Sequence, residues 1–125
     1  MKATPLQQNT EMREHIIDAA GKRLGRVATE AAHTLLGKDR PDIEKNIVAP
    51  VVVKVINASK LDISEKRAAE EFQTYSGYPG GRHVETLEHL GTRRGYGEVV
   101  RRVIGGMLPK NKLHKPRMKQ LEVTE

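Results

Sequence analysis

The chain has no cysteine and no tryptophan, and only one phenylalanine and three tyrosines among its 125 residues. The missing thiols exclude disulfides, thiolate zinc sites and a cysteine nucleophile, and they agree with a reducing compartment. Few aromatic rings means that a core must be built from Val, Ile, Leu and Ala. It also means that a nucleic-acid surface cannot rely on a long array of stacked side chains. No apolar run approaches the roughly 18 residues of a membrane span. Residues Met1 to Glu14 lack both the apolar stretch of a secretory signal and the acid-poor, Arg-rich character of a transit peptide, so the expected location is the cytoplasm. The length suits one compact body with tails, not two independently folding units.

Positive charge is what the sequence has in excess: 22 Lys and Arg against 16 Asp and Glu, a net charge of +6. That balance favours a polyanionic partner, with nucleic acid the leading candidate. The charge is also unevenly placed. Arg101, Arg102, Lys110, Lys112, Lys115, Arg117 and Lys119 follow one another with no Asp or Glu between them.

Residues 1–14 are polar and aperiodic and read as a flexible extension. His15 to Ala19 reads as a short buried strand, and Gly21 to Gly25 as a turn. From Arg26 the apolar set Val27, Ala28, Ala31, Ala32, Leu35, Leu36 recurs at helical spacing, with Glu30, His33 and Thr34 assigned to the opposite face and Gly37 closing the helix. Lys38 to Pro50 is a connection. Val51 to Ala58 is a nearly continuous β-branched run, as expected of a strand covered on both faces. Strand, helix, strand is a βαβ unit, which predicts parallel strands in an open α/β sheet. Leu61 to Ile63 and Phe72 to Tyr75 are candidates for a strand pair, with Lys66 to Glu71 equally readable as a helical turn. Thr74 to Gly81 (TYSGYPGG) is a shaped loop. Val84, Leu87, Leu90 and then Val99, Val100, Val103, Ile104, Met107 suggest two helices, the second presenting Arg101 and Arg102 outward. Residues 109–125 read as a basic extended segment beyond an α/β body at 15–108.

Candidate chemistry is sparse. The turn Gly21 to Arg26 lies between a strand and a helix, where α/β proteins offer free N–H groups to phosphate, and Lys22, Arg23 and Arg26 add charge there. Its G-x-x-x-G spacing matches neither dinucleotide nor P-loop fingerprints, so contact with an RNA phosphate is favoured over a nucleotide cofactor. His15, His33, His83, His89 and His114 form no metal-ligand motif, and no metal or cofactor is expected. His83 and His114 flank Gly-rich and basic stretches and are read as RNA contacts. Ser76 lacks the setting of a nucleophile elbow, and nothing supplies a base, so no catalytic residue is assigned. Past Leu108, Lys110, Lys112, Lys115, Arg117 and Lys119 recur every two or three residues among prolines. Such a segment self-repels and would be ordered by phosphates.

Four segments carry a resemblance: IIDAAGKRLGRVATEAA (Ile16 to Ala32), VINASK (Val55 to Lys60), YSGYPGG (Tyr75 to Gly81) and GGMLPKNKL (Gly105 to Leu113). Their content and order resemble the bacterial large-subunit ribosomal protein L-thirteen family from about His15 to Val123. The chain departs from that pattern at His15, where an aromatic is usual, at Ala49-Pro50, which replace Gly-Asp, and at Glu125, beyond which relatives usually run further. The resemblance implies a single three-layer α/β/α domain around a mostly parallel four-stranded sheet. It implies a structural, non-enzymatic role in the large subunit, binding its rRNA early in assembly, as a monomer beside other ribosomal proteins and with no small-molecule substrate. It also implies that Lys22, Arg26, the loop Tyr75 to Arg82 with Tyr75, Ser76, Tyr78 and Arg82, and the tract Arg101 through Lys119 face rRNA. The alternatives are a free-standing nucleic-acid-binding regulator and a small nucleotide-binding enzyme.

Overall fold

Strand β1 (Arg13–Asp18) and strand β2 (Val51–Ile56) pair in parallel, joined through helix α1 (Leu24–Leu36), in a computed structural model that describes residues 12–39, 41 and 46–125. The expected βαβ unit is therefore present. The extension at 1–11 lies outside the described residues. Helix α1 starts two residues before the apolar pattern suggested and buries Val27, Ala28, Ala31, Ala32 and Leu35. Small alanines on this face allow a close approach to the sheet and to helix α4 (Tyr96–Met107). Thr34 is buried as well, against its expected outward placement. Its hydroxyl donates to the Glu30 carbonyl at 3.0 Å, which satisfies it inside the helix layer. Gly37, at φ 76°, ends the helix in the left-handed region, where a glycine carries no steric penalty.

The third strand of the sheet comes from the segment read as extended and basic. Strand β5 (Leu121–Val123) pairs in parallel with β2, giving the order β1-β2-β5. The chain after Leu108 is thus not an extended basic segment. It contains helix α5 (His114–Lys119) and a strand of the main sheet, because Leu121 and Val123 alternate with Glu122 and can join the core face. Among the described residues the parallel sheet has three strands rather than four.

Sheet burial alternates. Ile17, Val51, Val53, Val55 and Leu121 are buried, whereas Ile16 and Ile56 of the other face are 60% and 36% exposed. The β-branched run of β2 is therefore covered on one face among the described residues, and Glu14 and Lys54 form an ion pair at 3.0 Å on the other.

After β2, a short 3-10 turn (Ala58–Lys60) leads to helix α2 (Glu65–Ala68), capped by the Ser64 hydroxyl. Phe72 to Tyr75 falls in strand β3 (Glu71–Tyr75), but its partner is strand β4 (Arg82–Thr86), in a separate antiparallel hairpin. Leu61 to Ile63 contributes only a bridge from Asp62 to Arg23. Val84 lies in β4, not in a helix. Helix α3 (Leu87–Arg94) begins immediately after it, capped by Thr86. Leu87, Leu90 and Val99 form a second, small cluster, and Leu24 and Tyr96 touch both this cluster and the main core.

Candidate nucleic-acid interface

Asp18 at the end of β1 organises the first βα turn. Its carboxylate accepts from the Ala20 N–H at 3.0 Å and the Asn57 amide at 3.1 Å. These bonds, the backbone one first, hold its pKa below the ordinary carboxylate value. The sign follows: the stabilisation is present above the unfolded-state pKa and is lost as pH falls through the lowered one. Asn57 adopts φ 57°, a conformation its short polar side chain tolerates. The clasp leaves Lys22, Arg23 and Arg26 exposed around the start of α1. Helix α1 has no side-chain cap and no acidic residue in its first turn, so its free N–H groups and these cations form one positive locus.

That locus adjoins the start of the C-terminal tract. The Thr29 hydroxyl, whose hydrogen bond goes to the Gly25 carbonyl at 2.7 Å, lies 4.0 Å from the Met107 sulfur. Arg26 and Met107 line one groove. Lys110 and Lys112 are exposed in the loop that follows Met107. In α5 the helical period sorts the remaining cations. Lys115 and Lys119, four apart, share the exposed face. Arg117 points inward and is 3% exposed, with its Nε unpartnered among the described residues. Reading Arg117 as a surface phosphate contact is therefore corrected: every second or third residue faces outward in an extended chain, but not in a helix. His114 is half-buried, with its ring Nε2 3.0 Å from the Gly105 carbonyl, which anchors α5 to the end of α4. On α4, Arg101 is exposed. Arg102 is half-buried, 3.9 Å from Glu98.

The hairpin supplies the aromatic component. Tyr75 and Tyr78 are 68% and 75% exposed, large values for rings with no packing role. Gly77 and Gly80 take positive φ, and the Gly81 N–H donates to the Tyr78 carbonyl at 2.9 Å, shaping the Tyr75 to Arg82 loop. An added Cβ at Gly81 would sit 1.9 Å from the Ser76 hydroxyl oxygen, which would have to rotate away, and 3.0 Å from the Tyr78 carbonyl oxygen. Ser76 and His83 are exposed, and the Arg82 guanidinium donates to Gln73 at 3.2 Å.

Composition left Arg93 unremarked, and the structure shows why it differs from its neighbours. It binds Glu85 at 2.7 Å, and that hydrogen bond lowers the Glu85 pKa and raises that of Arg93. Arg94 beside it is exposed and has no carboxylate partner among the described residues. Ile63, Arg67 and Thr29, which line the groove, were also missed. The one signal available was that the α4 stripe runs on to Met107, beyond what the core takes up. Among the described residues no cluster of His, Asp and Glu could hold a metal ion, and no helix is long and apolar enough to cross a membrane.

A family model described as ribosomal protein L13 matches residues 12–125. The chain belongs to the ribosomal protein L13 family. It is 38% identical over 120 residues to the large ribosomal subunit protein uL13 of Synechococcus elongatus, covering 95% of this chain and 79% of that protein. Its similarity to uL13 of Symbiobacterium thermophilum is 35% over 117 residues, covering 93% and 81%. With uL13 of Prochlorococcus marinus it is 36% over 121 residues, covering 96% and 84%. Membership of the L13 family makes this a ribosomal protein of the translation apparatus, not an enzyme.

Proposed function

We propose that this chain is a structural constituent of the large ribosomal subunit that binds the subunit's rRNA and supports its early assembly in the cytoplasm. The observation that carries the reading is the sorting of the C-terminal tract. Lys110, Lys112, Lys115 and Lys119 are exposed and Arg117 is withdrawn, with no acidic residue from Arg101 to Lys119 to neutralise them. An acid-free cationic tract anchored to the core by β5 suits a sugar-phosphate backbone better than an isolated phosphate group. Lys22, Arg23 and Arg26 extend this surface. Tyr75 and Tyr78, with Ser76, Arg82 and His83 around them, offer rings for bases and polar groups for the backbone. Arg101, Arg102 and His114 belong to the flank, where Arg102 and His114 also hold the fold. The partners on this reading are large-subunit rRNA and adjoining ribosomal proteins, with the chain present as one copy. A three-layer arrangement with a fourth strand would be completed in that setting.

Sedimentation of native lysate in a low-salt gradient tests the proposal. The protein is expected with the large subunit. Its recovery free of subunits would overturn the ribosomal assignment, and a free-standing regulator would then be the better reading.

A further inference from the structure

Between the first two turns of α1, helix α2 and the end of α4 lies a groove of about 880 Å³, within the size range of small-molecule pockets, roughly 300–1,000 Å³. Its floor is apolar, formed by Leu24, Ile63, Val103 and Met107, and Met107 is 43% exposed. Its walls carry both acceptors and donors. Glu30 is engaged by His15 at 3.3 Å, and Glu70 by Arg67. The Asp62 carboxylate has no side-chain partner among the described residues. Its backbone N–H donates to the Lys22 carbonyl at 3.0 Å, which fixes the residue at the groove edge. At that same edge stand Arg23 and Arg26, also without carboxylate partners among the described residues, with Lys22 just before them.

We infer that this groove receives the base of one unstacked rRNA nucleotide, a base bearing an exocyclic amine, with its flanking phosphates held by Lys22, Arg23 and Arg26. The inference rests on the rRNA-binding reading above. A phosphate alone would use donors only, and would gain nothing from an apolar floor or a free carboxylate. A base uses all three features: aliphatic side chains against its face, a carboxylate for its amino group, and cations for its phosphates. A polypeptide segment could also use an apolar floor, but the unpaired charges at this edge are predominantly positive, and the first turn of α1 contains no acidic residue. That favours the nucleotide.

Two variants of the full chain test it, with large-subunit rRNA as the probe. Thr29→Trp, at an exposed position on the groove wall, fills the space without touching the core. Asp62→Asn removes the acceptor charge and keeps the volume. Filter binding over a salt series and base-reactivity footprinting are the readouts. Thr29→Trp is expected to weaken binding roughly tenfold, to leave the salt slope unchanged and to unmask a single nucleotide within an otherwise intact footprint. Asp62→Asn is the sharper arm. If only long-range charge mattered, removing a carboxylate near RNA would tighten binding, whereas loss of the base contact weakens it and unmasks the same nucleotide. Tighter binding by Asp62→Asn, or a footprint unchanged in both variants, would overturn the inference while leaving the rRNA-binding reading intact. So would a protein segment cross-linked in the groove of assembled subunits with every base reactivity unaltered. Failure of the unmodified chain to bind the rRNA would instead sink the reading on which the inference stands.

Discussion

Arg117 occupies the inward face of a short helix whose outward face carries Lys115 and Lys119. Its burial leaves the Nε donor unpartnered among the described residues, as is the Gln120 Oε1 acceptor one turn later. A buried donor left unmade costs about 1–3 kcal/mol, and a buried cation that lacks close pairing is often replaceable by an apolar side chain without loss. Arg117→Met keeps the aliphatic stem that packs here and removes the guanidinium. It is therefore expected to be neutral or to stabilise the fold by up to about 2 kcal/mol in urea unfolding. The same variant should leave the salt slope of rRNA binding untouched. A slope reduced by about one ion would instead return Arg117 to the phosphate-binding surface. From sequence, Arg117 looked like the lysines around it. What separates them is a helical phase set by α5, and a six-residue helix beginning HKPRMK, with proline at its third position, has no apolar stripe that announces it.

At the scale of elements, the legible parts were those with long periodic patterns. The apolar spacing of α1 and the β-branched run of β2 gave the βαβ unit, and the α4 stripe gave its helix. Thr34 escaped because a hydroxyl bonded to the preceding turn can be buried cheaply, which binary patterning does not register. The hairpin partner of β3 was hidden because β4 has a single apolar residue: Val84 fits a helical spacing with Leu87 as well as it fits a strand. Strand β5 was hidden by its length, three residues with one acidic side chain between two apolar ones. Its energetic weight is nonetheless large, since Leu121 is 2% exposed and packed in the main core. Leu121→Ala should cost about 2–5 kcal/mol, the usual range for a buried leucine. Urea denaturation measures this directly. A loss below about 1 kcal/mol would mean that β5 is a dispensable tail and that the C-terminal segment is not part of the folded body.

For the whole molecule, the question is how a surface of modest net charge secures a strongly ionic partner. The acidic residues are not scattered evenly among the cations. Glu85 takes up Arg93, Glu70 takes up Arg67 and Glu14 takes up Lys54, whereas none of the lysines after Leu108 is in an ion pair among the described residues. These exposed pairs add little stability, because water screens the attraction and two long side chains must be ordered to make it. Among the described residues they leave the cations of the βα turn and of the C-terminal tract past Leu108 without carboxylate partners. Replacing Lys110, Lys112 and Lys115 together with Ala should then weaken rRNA binding and reduce the salt slope by about two to three ions. Thermal unfolding of the free protein should barely move, because all three side chains are exposed and none lies in the core. The opposite pattern, an unaltered slope with a lowered melting temperature, would mean that the lysines order the segment and that the RNA is held elsewhere. Binding at low salt should also raise the melting temperature of the unmodified chain, since a ligand of the native state stabilises it by mass action. That increment should shrink with added salt, and shrink less steeply for the triple variant, which ties the stability of the complex to the same cations that set its affinity.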